Sequence, residues 1–191
     1  MSKHRWRALA RQLHSLDELR QYRPSRGEAA VLIGLVERSE TVEVILTERA
    51  AHLWSHPSEV AFPGGKFEPV DRDLIDTALR EAHEETRLSP DRVALLGALP
   101  ARHTLAGVRV TAVVAQIAPG AALVADPSEL SSIFHAPLTL FQAAQADRLG
   151  TIERHGVRYQ LPAYLHEGKN IWGLTAVLAT EVAALFLAPP G

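Results

Sequence analysis

The sequence contains no cysteine among its 191 residues. Disulfide bonds, thiolate zinc sites, iron–sulfur clusters and a cysteine nucleophile are therefore excluded. An excess of either charge is also missing, since 20 lysines and arginines face 22 aspartates and glutamates. Because no broad basic field is available to attract a polyanion, nucleic-acid binding is disfavoured as a main function.

Long apolar runs are missing as well. The N-terminus is basic and lacks the apolar core of a signal peptide. The most apolar stretch, 174–188, is interrupted by Glu181 and is shorter than the roughly 20 residues that a membrane span needs. We expect a buried C-terminal helix, no membrane partner and a cytoplasmic location, which the absence of cysteine permits.

The length and the hydrophobic share of 47% predict one α/β or α+β domain over residues 1–191. Apolar positions recur at threes and fours in the segments predicted to be helical, which are 4–19, 72–88 and 136–149. Strand-like runs occupy 29–36, 42–47, 93–99 and 108–117, with a hairpin turn at 155–156. Prolines and glycines predict that 53–71 is mostly loop.

The segment 64–88 is the most informative part of the chain. Two glycines after a proline predict a tight loop, and Asp71 can cap the helix that follows. At about 100° per residue, Glu81, Glu84 and Glu85 share one arc beside the apolar face of that helix. Three carboxylates this close repel one another unless cations bind them. The pattern therefore predicts metal-dependent phosphate chemistry, with a solvated acidic face as the alternative.

The motif R-E-x-x-E-E at 80–85, after its glycine loop, resembles the Nudix box. The distance from the glycine to R-E is one residue longer than the general family pattern, which is similar to the coenzyme A pyrophosphatase branch. The run L-T-E-R-A-A-H-L-W-S-H-P-S-E-V-A-F-P-G-G at 46–65 resembles the signature that this branch carries upstream of its box. Further matches lie at 129–138 and 171–176. The resemblance covers about 28–188, so that 1–27 form an N-terminal helical extension.

The resemblance implies a Nudix α/β/α sandwich with a mixed sheet between helices. It also implies Mg²⁺- or Mn²⁺-dependent hydrolysis of the pyrophosphate of coenzyme A (CoA) or an acyl-CoA, giving 3′,5′-ADP and a 4′-phosphopantetheine product. The implied site residues are the metal ligands Glu81, Glu84 and Glu85; the catalytic group Glu84, Glu129 and Arg80; the substrate-binding group Arg49, His56, Gly64, Gly65 and Lys66; and the structural residue Asp71. Either Glu84 or Glu129 is the expected base, and the arginine of this group is expected to pair with Asp71 rather than to touch substrate.

Two departures from the family pattern leave alternatives open. Arg87 stands where the family has glycine, and a left-handed backbone there costs about 1 kcal/mol. Ser58, beside Pro57, also replaces a glycine and keeps open another nucleoside diphosphate derivative, such as an ADP-sugar or a dinucleotide. A catalytically silent ligand-binding module is a second alternative, against which the intact acidic motif stands.

Two further expectations concern contacts with other molecules. The substrate is expected to be a small molecule, and the two terminal helices either pack inside or pair two subunits as a homodimer. Trp54 and Phe62 are candidates to stack on adenine, although aromatic residues near a proline-rich loop usually pack in the core.

Overall fold

A computed structural model describes residues 3–39, 41–146, 148–154 and 157–188 of the chain. The predicted α/β/α sandwich is confirmed, because a mixed sheet carries helices on both faces. The helices are α1 (Lys3–Ala10), α2 (Leu16–Gln21), α3 (Leu74–Thr86) and α4 (Gly173–Leu187). The strands are β1 (Ala29–Arg38), β2 (Thr41–Arg49), β3 (Val60–Ala61), β4 (Gly64–Lys66), β5 (Val93–Ala98), β6 (Arg102–His103), β7 (Arg109–Ile117), β8 (Leu130–Pro137), β9 (Arg148–Arg154), β10 (Val157–His166) and β11 (Lys169–Ile171).

The main sheet has the order β3-β2-β1-β7-β5, with β4 on β1, β6 on β7 and β8 on β2. Strands β1 and β7 are parallel, and the other pairs are antiparallel. A second sheet has the order β11-β10-β9. The predicted turn at 155–156, between β9 and β10, lies outside the described residues.

The central strands are buried on both faces, which explains their nearly continuous apolar sequences. In β1, Leu32 faces the layer that contains α3, while Ile33 and Leu35 face the layer that contains α4. Side chains alternate between these layers because the period of a strand is two residues. Helix α3, the box helix that carries the motif R-E-x-x-E-E, is thereby fixed on one side of the sheet.

The N-terminal prediction of one helix over 4–19 is wrong, because the chain forms two helices there. The backbone of His14 leaves the helix and pairs with Ala98 through N···O contacts of 2.9 and 3.1 Å. Ser15 then begins α2 with a capping box, in which its side chain and that of Glu18 each bond the other's backbone N–H. The apolar spacing continues across this break and predicts one helix, whereas the capping residues Ser15 and Glu18 mark the start of a second helix.

The helix predicted over 136–149 is also wrong. Strand β8 continues to Pro137, short 3-10 turns cover 138–141 and 143–145, and β9 begins at Arg148. The final helix α4 is buried as predicted, and Trp6 of α1 packs against its Phe186 at a ring distance of 5.0 Å. None of the helices in the described part of the chain is long and apolar enough to cross a bilayer.

Candidate functional site

The glycine loop lies directly against the acidic face of α3. Strand β4 brings the Gly64 N–H to 3.1 Å from Oε2 of Glu85, to which it donates a hydrogen bond. A Cβ at Gly65 would overlap the carboxylate of Glu81. Glycine at this position therefore leaves room for the carboxylate of Glu81 in its present place, next to Glu85 under the loop.

A partly buried ion pair fixes the loop to the helix. Arg80 donates from Nε to Oδ1 of Asp71 at 2.8 Å and from Nη2 to Oδ2 at 3.0 Å, and Nη2 also reaches the Lys66 carbonyl at 3.1 Å. Thr77 donates to the same carboxylate at 2.9 Å. Burial raises the pKa of Asp71, but hydrogen bonds from Arg80, Thr77 and the Glu68 N–H outweigh it and lower the pKa below its ordinary value.

The prediction that Asp71 caps α3 is wrong, because Asp73 is the N-cap. Its Oδ1 accepts hydrogen bonds from the N–H groups of Ile75 and Asp76, both at 2.9 Å. The carboxylate of Asp71 is occupied by the arginine pair instead. A second aspartate two residues on was the sequence signal for the true cap.

Four carboxylates form the electrostatic centre of the site. Burial raises the pKa of Glu85 to about 8, and the charges of Glu81 and Glu129 add to the shift, although the Gly64 N–H opposes it. Burial also raises the pKa of Glu81, helped by Glu84 and Glu129 and opposed by Arg80. This mutual repulsion is what bound cations would relieve.

The donor set fits hard divalent cations, which prefer carboxylate oxygens. Glu81 and Glu85 lie adjacent beneath the glycine loop, in a cradle that a Cβ at Gly65 would fill. Across the described ranges, no group of three or more acidic or histidine side chains is arranged to hold a metal ion. Nη1 of Arg80 lies 3.1 Å from Oε1 of Glu81 and 3.0 Å from Oε2 of Glu84, where it occupies both carboxylates. A third carboxylate ligand therefore requires a side-chain rotation.

Glu129, which the resemblance names as a candidate base, lies on a loop that is hydrogen-bonded to the end of α3. The Asp126 N–H donates to the Glu85 carbonyl at 2.9 Å, and the Val124 N–H donates to the Thr86 carbonyl at 2.8 Å. The Glu129 carbonyl in turn accepts from the Ala50 N–H at 2.9 Å. Glu129 is exposed just before β8, beside the box carboxylates.

The candidate substrate-binding side chains do not all converge. Nε of Arg49 is the one fully buried side-chain polar atom in the described residues that has no hydrogen-bond partner, and its charge acts on Glu85. Lys66 is exposed. His56 is turned to Glu59, with Nδ1 at 2.7 Å from Oε2. The structure therefore places Arg49, but not His56, at the carboxylate cluster.

The two residues that replace family glycines keep a left-handed backbone. Ser58 has φ 58° and Arg87, the C-cap of α3, has φ 57°. Both residues therefore adopt this backbone at a conformational cost that glycine would not incur.

Comparison with known proteins gives the family. A family model described as "NUDIX domain" matches residues 25–155. A protein named "Uncharacterized Nudix hydrolase NudL" from Enterobacter sp. (strain 638) is 38% identical over 161 residues, which are 83% of this chain and 82% of the relative. A protein of the same name from Photorhabdus laumondii is 36% identical over 155 residues, or 81% and 82% of the two chains.

Solved structures share the fold at lower identity. An Ap4A hydrolase from C. elegans, solved as a binary complex, has a TM-score of 0.51 and 18% identity, covering 59% of this chain and 81% of that one. A MutT/nudix family protein from Enterococcus faecalis also has a TM-score of 0.51, with 19% identity over 96% of this chain and 73% of the other.

Proposed function

The chain belongs to the NUDIX family, and on that basis we propose that it hydrolyses the pyrophosphate bond of CoA or a CoA derivative with Mg²⁺ or Mn²⁺. The products are 3′,5′-ADP and 4′-phosphopantetheine or its acyl form. CoA is chosen within the family because the run at 46–65 resembles the signature of the CoA pyrophosphatase branch. The two NudL relatives cover the same region of the chain, at 36% and 38% identity.

The observation that carries the proposal is the position of Arg49 beside the carboxylates. Its buried Nε has no acceptor among the described residues and lies where its charge acts on Glu85. An unpaired buried donor is costly, and a phosphate oxygen is one of the acceptors that a guanidinium binds strongly. The site thus offers metal-binding oxygens and a phosphate-binding cation in one place, as a pyrophosphate substrate requires.

Each side chain has a separate role in the proposed reaction. Glu81 and Glu85 would hold the metal ions, which when bound would supply charge stabilisation for the pyrophosphate oxygens and activation of the attacking water. Arg80 and Asp71 keep α3 and the glycine loop in register. Glu84 or Glu129 accepts the proton of the water as it attacks phosphorus.

The test is incubation of the purified protein with CoA, with and without Mg²⁺ or Mn²⁺, and identification of the products by chromatography and mass. Wild type is expected to release 3′,5′-ADP only with metal. Of Glu84→Gln and Glu129→Gln, the one that removes the base is expected to lower kcat by about 100- to 10,000-fold. Glu68→Gln is the control, because Glu68 is an exposed carboxylate between β4 and α3 that has no role in the proposed reaction.

Three results would contradict parts of the proposal. Turnover of ADP-ribose or a dinucleotide without CoA cleavage would replace the substrate and keep the chemistry. Equal activity with and without metal would reject the role of Glu81 and Glu85. Failure to hydrolyse any member of this substrate panel would favour a ligand-binding module.

A further inference from the structure

The β2–β3 loop, residues 50–59, carries an indole that the fold does not bury. The side chain of Trp54 is 101% exposed, whereas Phe62, the other aromatic candidate in this segment, is 4% exposed and packs in the core. Indole rings give some of the largest gains on burial of any side chain. Trp54 contributes none of that gain to folding, so its apolar face is available to a ligand.

Backbone hydrogen bonds close the loop that carries Trp54. At its neck, the Arg49 N–H donates to the Glu59 carbonyl at 3.0 Å, and the Ser58 N–H donates to the Arg49 carbonyl at 3.2 Å. His56 and Ser58 have positive φ values of 55° and 58°. Strained backbone of this kind persists only where surrounding contacts enforce it, and it concentrates at functional sites.

The neck of this loop is part of the candidate site. Arg49 acts on Glu85 through its charge, and the next residue, Ala50, donates to the Glu129 carbonyl at 2.9 Å. Trp54 is four residues beyond Ala50 and therefore lies at most about 14 Å from it. A nucleotide separates its base from its phosphates by a single ribose. A base attached to a pyrophosphate at the carboxylates would therefore lie on the scale of this loop, whose neck borders the site.

We infer that Trp54 is a substrate-binding residue whose indole stacks on the adenine base of the substrate, an inference that rests on the proposed hydrolysis of CoA. Aromatic stacking suits this task because every base has a π face and because an indole loses little conformational freedom when it binds. The contact is remote from phosphorus and acts equally on bound substrate and transition state. It therefore lowers KM and leaves kcat unchanged.

The kinetic test compares Trp54→Ala and Trp54→Phe with wild type. Trp54→Ala is expected to raise KM for CoA by about 5- to 150-fold, the range of base–aromatic stacking, with kcat unchanged. Trp54→Phe is expected to recover most of the loss. Inhibition by inorganic pyrophosphate, which has no base, is expected to be the same in all three proteins. Trp172→Ala is the matched control, since it removes another exposed indole, at the start of α4.

A binding measurement keeps the inference separate from the proposed reaction. Titration with 3′,5′-ADP is expected to quench tryptophan fluorescence in wild type and in Trp172→Ala, but not in Trp54→Phe. If CoA is not hydrolysed, the proposed function fails, and this titration still decides the role of Trp54. Quenching that persists in Trp54→Phe, an unchanged KM in Trp54→Ala, or weaker pyrophosphate inhibition in that variant would overturn the inference. An indole that serves a protein or membrane surface would leave the kinetic constants unchanged.

Discussion

At the scale of single residues, the two neighbouring glycines of the loop have different physical roles. A Cβ at Gly64 would meet backbone, with Cα of Val31 only 2.6 Å away. The three atoms nearest to a Cβ at Gly65 all belong to the carboxylate of Glu81, which is the far end of a flexible side chain. The first glycine is therefore needed for the strand pairing of β4 on β1, and the second for the placement of a proposed metal ligand.

We predict that the two alanine variants lose different properties, Gly64→Ala its stability and Gly65→Ala its activity. Gly64→Ala is expected to lower the free energy of unfolding by about 1–3 kcal/mol, the usual cost of overpacking. Gly65→Ala is expected to lower metal-dependent activity by about 10- to 100-fold, because it displaces Glu81, with little change in stability. Chemical unfolding and metal titration of both proteins test this. Equal destabilisation by both substitutions would show that Glu81 cannot turn aside.

The sequence predicted the carboxylates of the site better than their surroundings. Helical geometry alone puts Glu81, Glu84 and Glu85 on one arc, because their spacing is local. Arg49 and Glu129 meet them only because β2 pairs with β8, a contact between segments about 80 residues apart. Pattern in the sequence cannot report such a pairing or the burial that leaves Nε of Arg49 without an acceptor.

At the scale of elements, the C-terminus of α3 carries a removable strain. Arg87 has φ 57° at the C-cap and pairs with Asp126 at 3.3 Å, in a partly exposed ion pair. Glycine adopts this backbone at no steric cost, whereas an exposed ion pair contributes little. Arg87→Gly is expected to raise the free energy of unfolding by about 0.5–1 kcal/mol. Thermal and chemical denaturation measure it.

Arg87→Ala is the control, because alanine keeps the strained backbone and loses the ion pair. We expect it to be no more stable than wild type. If alanine stabilises as much as glycine, repulsion at the arginine side chain, rather than backbone strain, is the cause. Activity is expected to persist in both variants, since Arg87 faces Asp126 and not the carboxylates.

Element boundaries differ from the sequence prediction where a side chain is used by a distant partner. The box helix was predicted over 72–88 and spans Leu74–Thr86, because Asp71 pairs with Arg80 and leaves the cap to Asp73. The N-terminal helix divides because His14 pairs with Ala98. In both cases the competing contact is a tertiary contact, which the hydrophobic periodicity of the sequence does not reveal.

At the scale of the whole molecule, one carboxylate connects the N-terminal segment to the sheet. Glu28 accepts hydrogen bonds from Oη of Tyr22 at 2.9 Å, from the Ser25 N–H at 2.9 Å and from Nη1 of Arg109 at 2.8 Å. Arg109 also lies over the ring of Tyr22, 4.5 Å from its centroid. Burial raises the pKa of Glu28, but these hydrogen bonds and the charge of Arg109 outweigh it and lower the pKa from 4.5.

The lowered pKa of Glu28 determines the direction in which the stability of the fold changes with pH. Because the pKa of Glu28 is lower in the folded chain than in the unfolded one, its contribution to stability is complete above the ordinary value of 4.5. The contribution is lost as the pH falls from there through the folded pKa. Glu28→Gln is expected to lower the free energy of unfolding by about 1–3 kcal/mol at neutral pH, the range for a hydrogen bond to a charged group. The difference from wild type should shrink in acid.

Urea unfolding of wild type and Glu28→Gln at a series of pH values from 7 to below 4 measures this difference directly. Asp17→Asn is the matched control, since Asp17 is an exposed carboxylate of α2 in a surface ion pair with Arg20. Its difference from wild type is expected to stay small throughout the series. A stability gap for Glu28→Gln that stays constant as the pH falls would mean that shape, and not charge, holds the N-terminal segment to β7.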